Sequence, residues 1–329
     1  MSCLPNLNQI YVGDGVRVMR RWPDAFVDLA LTSPPYFNLR DYGVRGQIGL
    51  EKEPAEYIAR MMDVVRECGR ILKSTGSLYL NIGDTYQRKT LLGIPWRLAF
   101  AMLEEGWLLR NEIVWAKPHG LPTPIKDRLN TTHEKIFHFV KQPSYYFDLD
   151  AIRVPTKGTY REGSKTRRFD KDARLPHRAG IPVAGNFRPH PLGKNPGDVM
   201  VVGPETRPKK YIAPGETAHF APYPEALCEL PIKAASPPDG IVFDPFMGSG
   251  TTALVARRLG RHFLGTELSA DYARLARRRL AMHRPPPILG CSHRSFRPRS
   301  SRGTPIKRLC SRNAMEGDLS FSPGQEREL

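Results

Sequence analysis

The stretch "DGIVFDPFMGSGTTALVARRLGRHFLGTE" (residues 239–267) leaves a chain little choice of fold. A short apolar run is followed by a glycine-rich turn, then a stretch of helical length, then a second apolar run ending in an acid. Strand, turn, helix and strand in this order form a unit of an α/β sheet. The N-terminal part repeats the alternation. "QIYVGDG" reads as a strand ending at a glycine turn, and "VRVMRRW" as a helix closed by Pro23. Residues 25–33 form a second apolar strand. Residues 53–72 form a helix, with Pro54 in its first turn and Ile58, Met61, Met62, Val65 and Cys68 on one face. Residues 76–84 give a third strand, and "PWRLAFAMLEEGW" another helix ending at Gly106. "LLRNEIVWAK" and "EKIFHFVKQ" alternate as paired strands do, and residues 223–235 read as a helix. The expectation is a three-layer α/β sandwich whose sheet is mostly parallel, with an antiparallel strand near one edge.

Two segments break the pattern. Residues 151–218 are rich in Pro, Gly, Lys and Arg and show no sustained apolar period, so they are not expected to contribute to the main core. Residues 285–329 are rich in Pro, Ser and Arg and read as a basic, disordered tail. The basic bias extends to the whole chain, where 50 Lys and Arg stand against 33 Asp and Glu, a formal charge of +17. Such a charge fits a polyanionic partner, foremost nucleic acid, or else a bias toward solubility. Cys3, Cys68, Cys228, Cys291 and Cys310 form no C-x-x-C pair, which points to neither a disulfide framework nor a zinc site. A reduced cytosolic setting fits. No apolar run approaches the roughly 18 residues of a membrane span, and no secretion signal opens the chain.

The glycine turn carries G-x-G-x-x-A at Gly248, Gly250 and Ala253, a loose dinucleotide fingerprint that a tight turn with small packing residues also satisfies. Asp244 stands at the strand end and is expected to face the crevice. Gly248 and Gly250 would let a ligand approach the backbone. Glu267 ends the next strand, where an acid can accept both hydroxyls of a ribose. An acid just before the glycines suits a pyrophosphate poorly. It suits a ligand with a cationic amino-acid end and a ribose, as in S-adenosylmethionine.

"LTSPPYFNLRDYG" (residues 31–43) holds a second constrained feature. Pro34 and Pro35 stop the strand and stiffen the chain. Pro35 has no N–H, so the Pro34 carbonyl stays free to accept a hydrogen bond. The Ser33 hydroxyl is a second acceptor close by, and Tyr36 offers a flat face. Two fixed acceptors can grip the hydrogens of an exocyclic amine while the ring stacks the base. Such positioning would favour a tetrahedral nitrogen with a usable lone pair. A rigid proline turn with a packed tyrosine is the plainer alternative. The following "FNLRDYG" is expected to form a mobile loop near DNA, with Arg40 on a phosphate.

Together, "DLALTSPPY" and "DPFMGSGTT" resemble the amino-methylating DNA methyltransferases, which modify cytosine N4 or adenine N6. The catalytic motif precedes the cofactor motif, an order similar to the circularly permuted β group. The resemblance covers residues 9–150 and 218–280 and implies a Rossmann-like fold using S-adenosylmethionine. It implies a catalytic half (9–150), a target-recognition insertion (151–218) and a cofactor half (219–284). Ser33, Pro34, Pro35 and Tyr36 would hold a flipped base. Asp244, Pro245, Phe246, Gly248, Ser249, Gly250, Thr251 and Thr252 would line the methionine end, with Glu267 at the ribose and Asp14 near the adenine. The run with Lys126, Asp127, Arg128, His133 and Glu134 resembles the part that shapes the base pocket. Lys126, Arg128 and His133, with Arg167 and Arg168 of the insertion, would contact duplex DNA. A serine before the prolines is more typical of N4-cytosine than of N6-adenine methylation. The implied enzyme is thus a site-specific, cytoplasmic N4-cytosine methyltransferase of a restriction-modification system. N6-adenine methylation, an RNA or protein substrate, and a non-catalytic DNA-binding protein are the alternatives. A homodimer and a separately acting restriction endonuclease stay open.

"HEKIFH" (residues 133–138) nearly matches the zinc-protease H-E-x-x-H, but its histidines are one residue too far apart to share a helical face. No metal site is expected.

Overall fold

The computed structural model describes residues 3–118, 123–155, 190–204 and 223–283. In chain order the elements are β1 (Gln9–Val12), α1 (Gly15–Met19), β2 (Val27–Thr32), α2 (Pro54–Ile71), β3 (Leu72–Ile82), β4 (Tyr86–Gln87), β5 (Thr90–Leu91), α3 (Ile94–Glu104), β6 (Leu108–Ala116), β7 (His133–Val140), β8 (Val199–Val201), α4 (Glu225–Ala235), β9 (Ile241–Asp244), α5 (Thr251–Arg258), β10 (His262–Glu267) and α6 (Ala270–Met282). The tail beyond residue 283 and most of the basic insertion, including Arg167 and Arg168, lie outside the described residues.

Eight strands form one sheet in the order β1-β10-β9-β2-β3-β7-β6-β8. The first five pair in parallel. β7 runs antiparallel to both neighbours, and β8 is parallel to β6. The antiparallel strand expected from the sequence is therefore β7, with two further strands outside it.

Both faces are covered because the strands alternate apolar residues to either side. In β3, Leu78, Leu80 and Ile82 pack with α2 and α3, against Met61, Val65, Leu98 and Met102. Tyr79 faces the other way, into the layer of α4, α5 and α6 with Leu227, Ile232, Val255 and Ala276. The amphipathic stripe read in α2 is buried at Met61, Met62, Val65 and Cys68. Pro231 sits inside α4 and is buried.

The insertion contributes more than its composition suggests. Its β8 pairs with β6, and the Trp115 indole donates to the Val202 carbonyl at 2.8 Å. Val199 and Val201 point to solvent, so this edge strand extends the sheet with little core of its own.

β2 and β9 are neighbours, yet their chains turn opposite ways. β9 leads through α5 to β10, whereas β2 leads through α2 to β3. The carboxyl ends of these two strands thus flank the topological switch point, where open α/β sheets bind ligands. The Ser33–Tyr36 corner follows β2, and the glycine loop follows β9.

Candidate active site

At the corner, the Tyr57 hydroxyl donates to the Pro35 carbonyl at 2.9 Å and fixes the turn from α2. Among the described residues no hydrogen bond reaches the Pro34 carbonyl. The ring of Tyr36 lies against Gly83, where an added Cβ would come within 2.7 Å of the ring edge. Glycine here makes room for the aromatic ring.

Ser33 keeps an acceptor position toward the cavity but sits in a hydrogen-bond network that the sequence did not suggest. Its Oγ lies 3.2 Å from Asn81 Nδ2 and 3.3 Å from the Tyr36 hydroxyl. The Tyr36 hydroxyl donates to Glu134 Oε2 at 2.5 Å, and Asn81 Nδ2 donates to both Tyr36 and Glu134 at 2.9 and 3.0 Å. Lys117 Nζ holds the other carboxylate oxygen of Glu134 at 2.5 Å. Burial, reinforced by the Glu134 charge, pushes the Tyr36 phenol well above its ordinary pKa, so it remains a donor. These groups come from β2, β3, β6 and β7. Sheet register joins them: Asn81 pairs with Ile136, and Trp115 with Glu134.

The acid before the glycine loop also differs from expectation. Asp244 does not face the crevice but is fully buried. Its carboxylate accepts from Thr32 Oγ1 and Thr252 Oγ1, each at 2.6 Å, from Phe246 N at 3.0 Å and from the Tyr223 hydroxyl at 3.3 Å. Burial outweighs these donors and raises its pKa. The two glycines divide their work. Gly248, at φ 52°, donates its N–H to Glu267 Oε2 at 2.7 Å. Gly250, at φ 81°, seats α6, since a Cβ there would lie 2.9 Å from the Ala276 Cβ. The ligand approach read into Gly250 is therefore a helix contact.

Between corner and loop lies a cavity of about 410 Å³. Ser33, Pro34, Pro35 and Tyr36 line one side, with Asn81, Lys117 and Glu134. Asp14, Pro245, Phe246, Gly248, Ser249, Thr251 and Glu267 line the other, while Asp244, Gly250 and Thr252 stand behind the wall. Asp14 caps α1 by accepting from Arg17 N at 2.9 Å. Glu267 accepts from Ser269 N at 2.9 Å, and burial raises its pKa.

Arg40 also lines the cavity, because its loop is a wall of the site. Gln47 accepts from Tyr42 N and donates to the Arg40 carbonyl, and Arg60 ties the carbonyls of Gly46 and Gln47 to α2. The Tyr42 ring meets Tyr272 edge-on at 6.3 Å. The loop is thus tied down through Gln47 and Arg60, where the sequence led to the expectation of a mobile one.

Lys126, Arg128 and His133 lie outside the cavity lining. Arg128 sits 3.7 Å over the ring of Tyr86, on the β4–β5 hairpin. His138 is buried, stacks on Tyr79 at 4.2 Å and contacts Ser77. No cluster of metal-ligating side chains occurs among the described residues. Sequence reasoning missed Asn81 and Lys117. The available signals were an amide in an otherwise apolar strand and a lysine where β6 ends.

Comparison with known proteins settles the class. The N6/N4 DNA methylase family model matches residues 27–278. The chain is a member of this DNA methylase family. The methylase is 34% identical over 305 residues to the Type II methyltransferase M.SmaI of Serratia marcescens, covering 84% of this chain and 91% of the relative. It is 36% identical over 274 residues to M.BglII of Bacillus subtilis, covering 82% and 68%. Among solved structures, the cytosine-N4-specific PvuII DNA methyltransferase shares the fold, with a TM-score of 0.63 at 22% identity over 84% of this chain and 87% of the other. TTHA0409 of Thermus thermophilus, solved with S-adenosyl-L-methionine, gives 0.53 at 27% identity over 83% and 95%. As a DNA methylase the protein acts on DNA, and its methyl donor is S-adenosylmethionine.

Proposed function

We propose that this methylase modifies the exocyclic N4 of cytosine in duplex DNA, as the modification enzyme of a restriction-modification system working in the cytoplasm. A separately acting endonuclease of the same specificity would complete the system. The observation that carries the reading is the Ser33-Pro34-Pro35-Tyr36 corner sharing one cavity with the glycine loop and Glu267.

The residues fit the donor. Glu267 lines the cavity with a carboxylate that accepts the backbone N–H groups of Gly248 and Ser269, leaving acceptor capacity for ribose hydroxyls. Gly15 lines the cavity beside Asp14, and a Cβ there would stand 3.0 Å from Thr266 Oγ1, tighter than an ordinary contact. When bound, S-adenosylmethionine supplies an electrophilic methyl group on a sulfonium. The work left to the protein is to hold the amine and keep water out. The Pro34 carbonyl accepts one amine hydrogen, and the rigid corner fixes its direction. Gly83 leaves room for the Tyr36 ring, which lines the cavity where the base would stack. Extruding the base costs a few kcal/mol, offset by these contacts and by basic side chains on the phosphates.

Sequencing of modified bases in DNA from a host expressing the methylase tests this. N4-methylcytosine at one recurring sequence is expected. N6-methyladenine would overturn the choice of base, and DNA without new modification would overturn the reading.

A further inference from the structure

We propose that Glu134 is the final acceptor of the proton shed by the target amine, reached through the hydroxyls of Ser33 and Tyr36. The inference rests on the reading that the amine binds at the proline corner.

Methylating an amine creates a proton problem. The nitrogen lone pair forms the new N–C bond, and the electrons of the broken S–C bond stay with sulfur. The nitrogen is left positively charged, carrying two hydrogens where the product carries one. The Pro34 carbonyl can orient the amine, but an amide oxygen is too weak a base to keep the proton. A lone serine hydroxyl is no better. Of the cavity's own groups, a carboxylate is the base able to keep it, either directly or through a relay.

Three carboxylates line the cavity: Asp14, Glu134 and Glu267. Asp14 and Glu267 belong to the cofactor side, where each already accepts backbone N–H groups. Glu134 alone connects to the corner. From Ser33 Oγ the path runs 3.3 Å to the Tyr36 hydroxyl, then 2.5 Å to Glu134 Oε2. Asn81 Nδ2 lies within 3.2 Å of all three oxygens and holds them together. Lys117 binds the far oxygen of Glu134 and keeps the near one aimed at Tyr36.

The relay balances. The amine gives its proton to Ser33 Oγ, Ser33 passes its own to Tyr36, and Tyr36 passes its own to Glu134. Each hydroxyl gains one proton and loses one, and only Glu134 changes charge. No tyrosinate forms, in keeping with a phenol that burial holds protonated. A tie between β6 and β7 would need only the Glu134–Lys117 pair. It gives no reason for the Tyr36 hydroxyl to aim at the same carboxylate.

The test uses the full-length methylase and a duplex carrying the sequence found by modified-base sequencing. Tyr36→Phe removes the relay oxygen and keeps the ring. Glu134→Gln removes the acceptor and keeps the shape. Each is expected to slow single-turnover methyl transfer by about 10²-fold, the usual scale of general acid–base catalysis. DNA and cofactor dissociation constants, read by anisotropy and calorimetry, should stay within about twofold. The double variant should be no slower than the slower single variant, because both break one path. Wild-type rates in both single variants would overturn the proposal. So would losses that multiply in the double variant, or that follow weakened DNA binding. If Glu134→Gln does not fold, Tyr36→Phe decides alone. A wild-type enzyme that labels no DNA would instead sink the functional reading beneath the proposal.

Discussion

Thr32 and Asp244 stand 212 positions apart in sequence, and the Thr32 hydroxyl donates to the Asp244 carboxylate across 2.6 Å. The bond joins the last residue of the strand before the proline corner to the last residue of the strand before the glycine loop. It fixes the two lips of the cavity against each other. Thr32→Val keeps the shape and removes the donor. It should cost about 1–3 kcal/mol, the penalty for a buried charged acceptor losing a partner. The sign with pH follows from the raised Asp244 pKa. Stability tied to that carboxyl is full below its unfolded value and is lost as pH rises through the folded one. The penalty of Thr32→Val should therefore be larger at pH 7 than near pH 4. Urea unfolding at both pH values checks this.

Gly83 predicts a variant that folds but works poorly. Its backbone is not in the left-handed region, so alanine is tolerated locally. The added Cβ would lie 2.7 Å from the Tyr36 ring, which must move. A shift of this size at a positioning group costs on the order of 10²-fold in rate. Gly83→Ala should keep its cofactor affinity and lose single-turnover rate.

Local pattern carried much of this structure. The period of α2 places its buried face, and the double proline marks the corner without any neighbour's help. What stayed hidden depends on partners distant in sequence. Asn81, Lys117 and Glu134 meet because β3, β7 and β6 pair in one register, and no local period records that. The inward turn of Asp244 is set by Thr32 and Tyr223, each more than a helix away in sequence. β8 is three residues long, too short for an alternation to show. The loop after the corner looked unanchored because Gln47 and Arg60, which tie it down, carry no motif.

Glu267 separates the two halves of the cavity experimentally. Glu267→Gln keeps the volume but replaces one acceptor oxygen with a donor facing backbone N–H groups. Cofactor affinity should fall at least about tenfold, or ~1.4 kcal/mol, measured by calorimetry. DNA affinity without cofactor should not change. Equal losses in both would argue that the loop itself has collapsed.

His138 gives the protein a built-in acid sensitivity. Burial, with Arg110 nearby, drives its pKa down to about 3. The unfolded chain titrates near 6.5. Between these values the unfolded state binds one proton more than the folded state, so stability falls as pH is lowered. The slope from this group is about 1.4 kcal/mol per pH unit. His138→Phe keeps a ring on Tyr79 and removes the titration. Its unfolding free energy, followed from pH 7 to pH 4, should fall less steeply than that of the wild type.

Arg128 and Lys126 test where the duplex lies. Arg128 stacks over Tyr86, an arrangement that leaves guanidinium N–H groups at the edges for a phosphate. Lys126 is exposed on the same loop, between the β6 and β7 ends that supply Lys117 and Glu134. If either side chain meets a phosphate, its alanine variant loses one released counterion. The slope of log Kd against log salt should then shrink by about 0.9. Single-turnover rate at saturating DNA should be unchanged, because neither side chain lines the cavity. An unchanged salt slope in Arg128→Ala, with a less stable fold, would make Arg128 a staple for the β4–β5 hairpin and move the DNA path elsewhere.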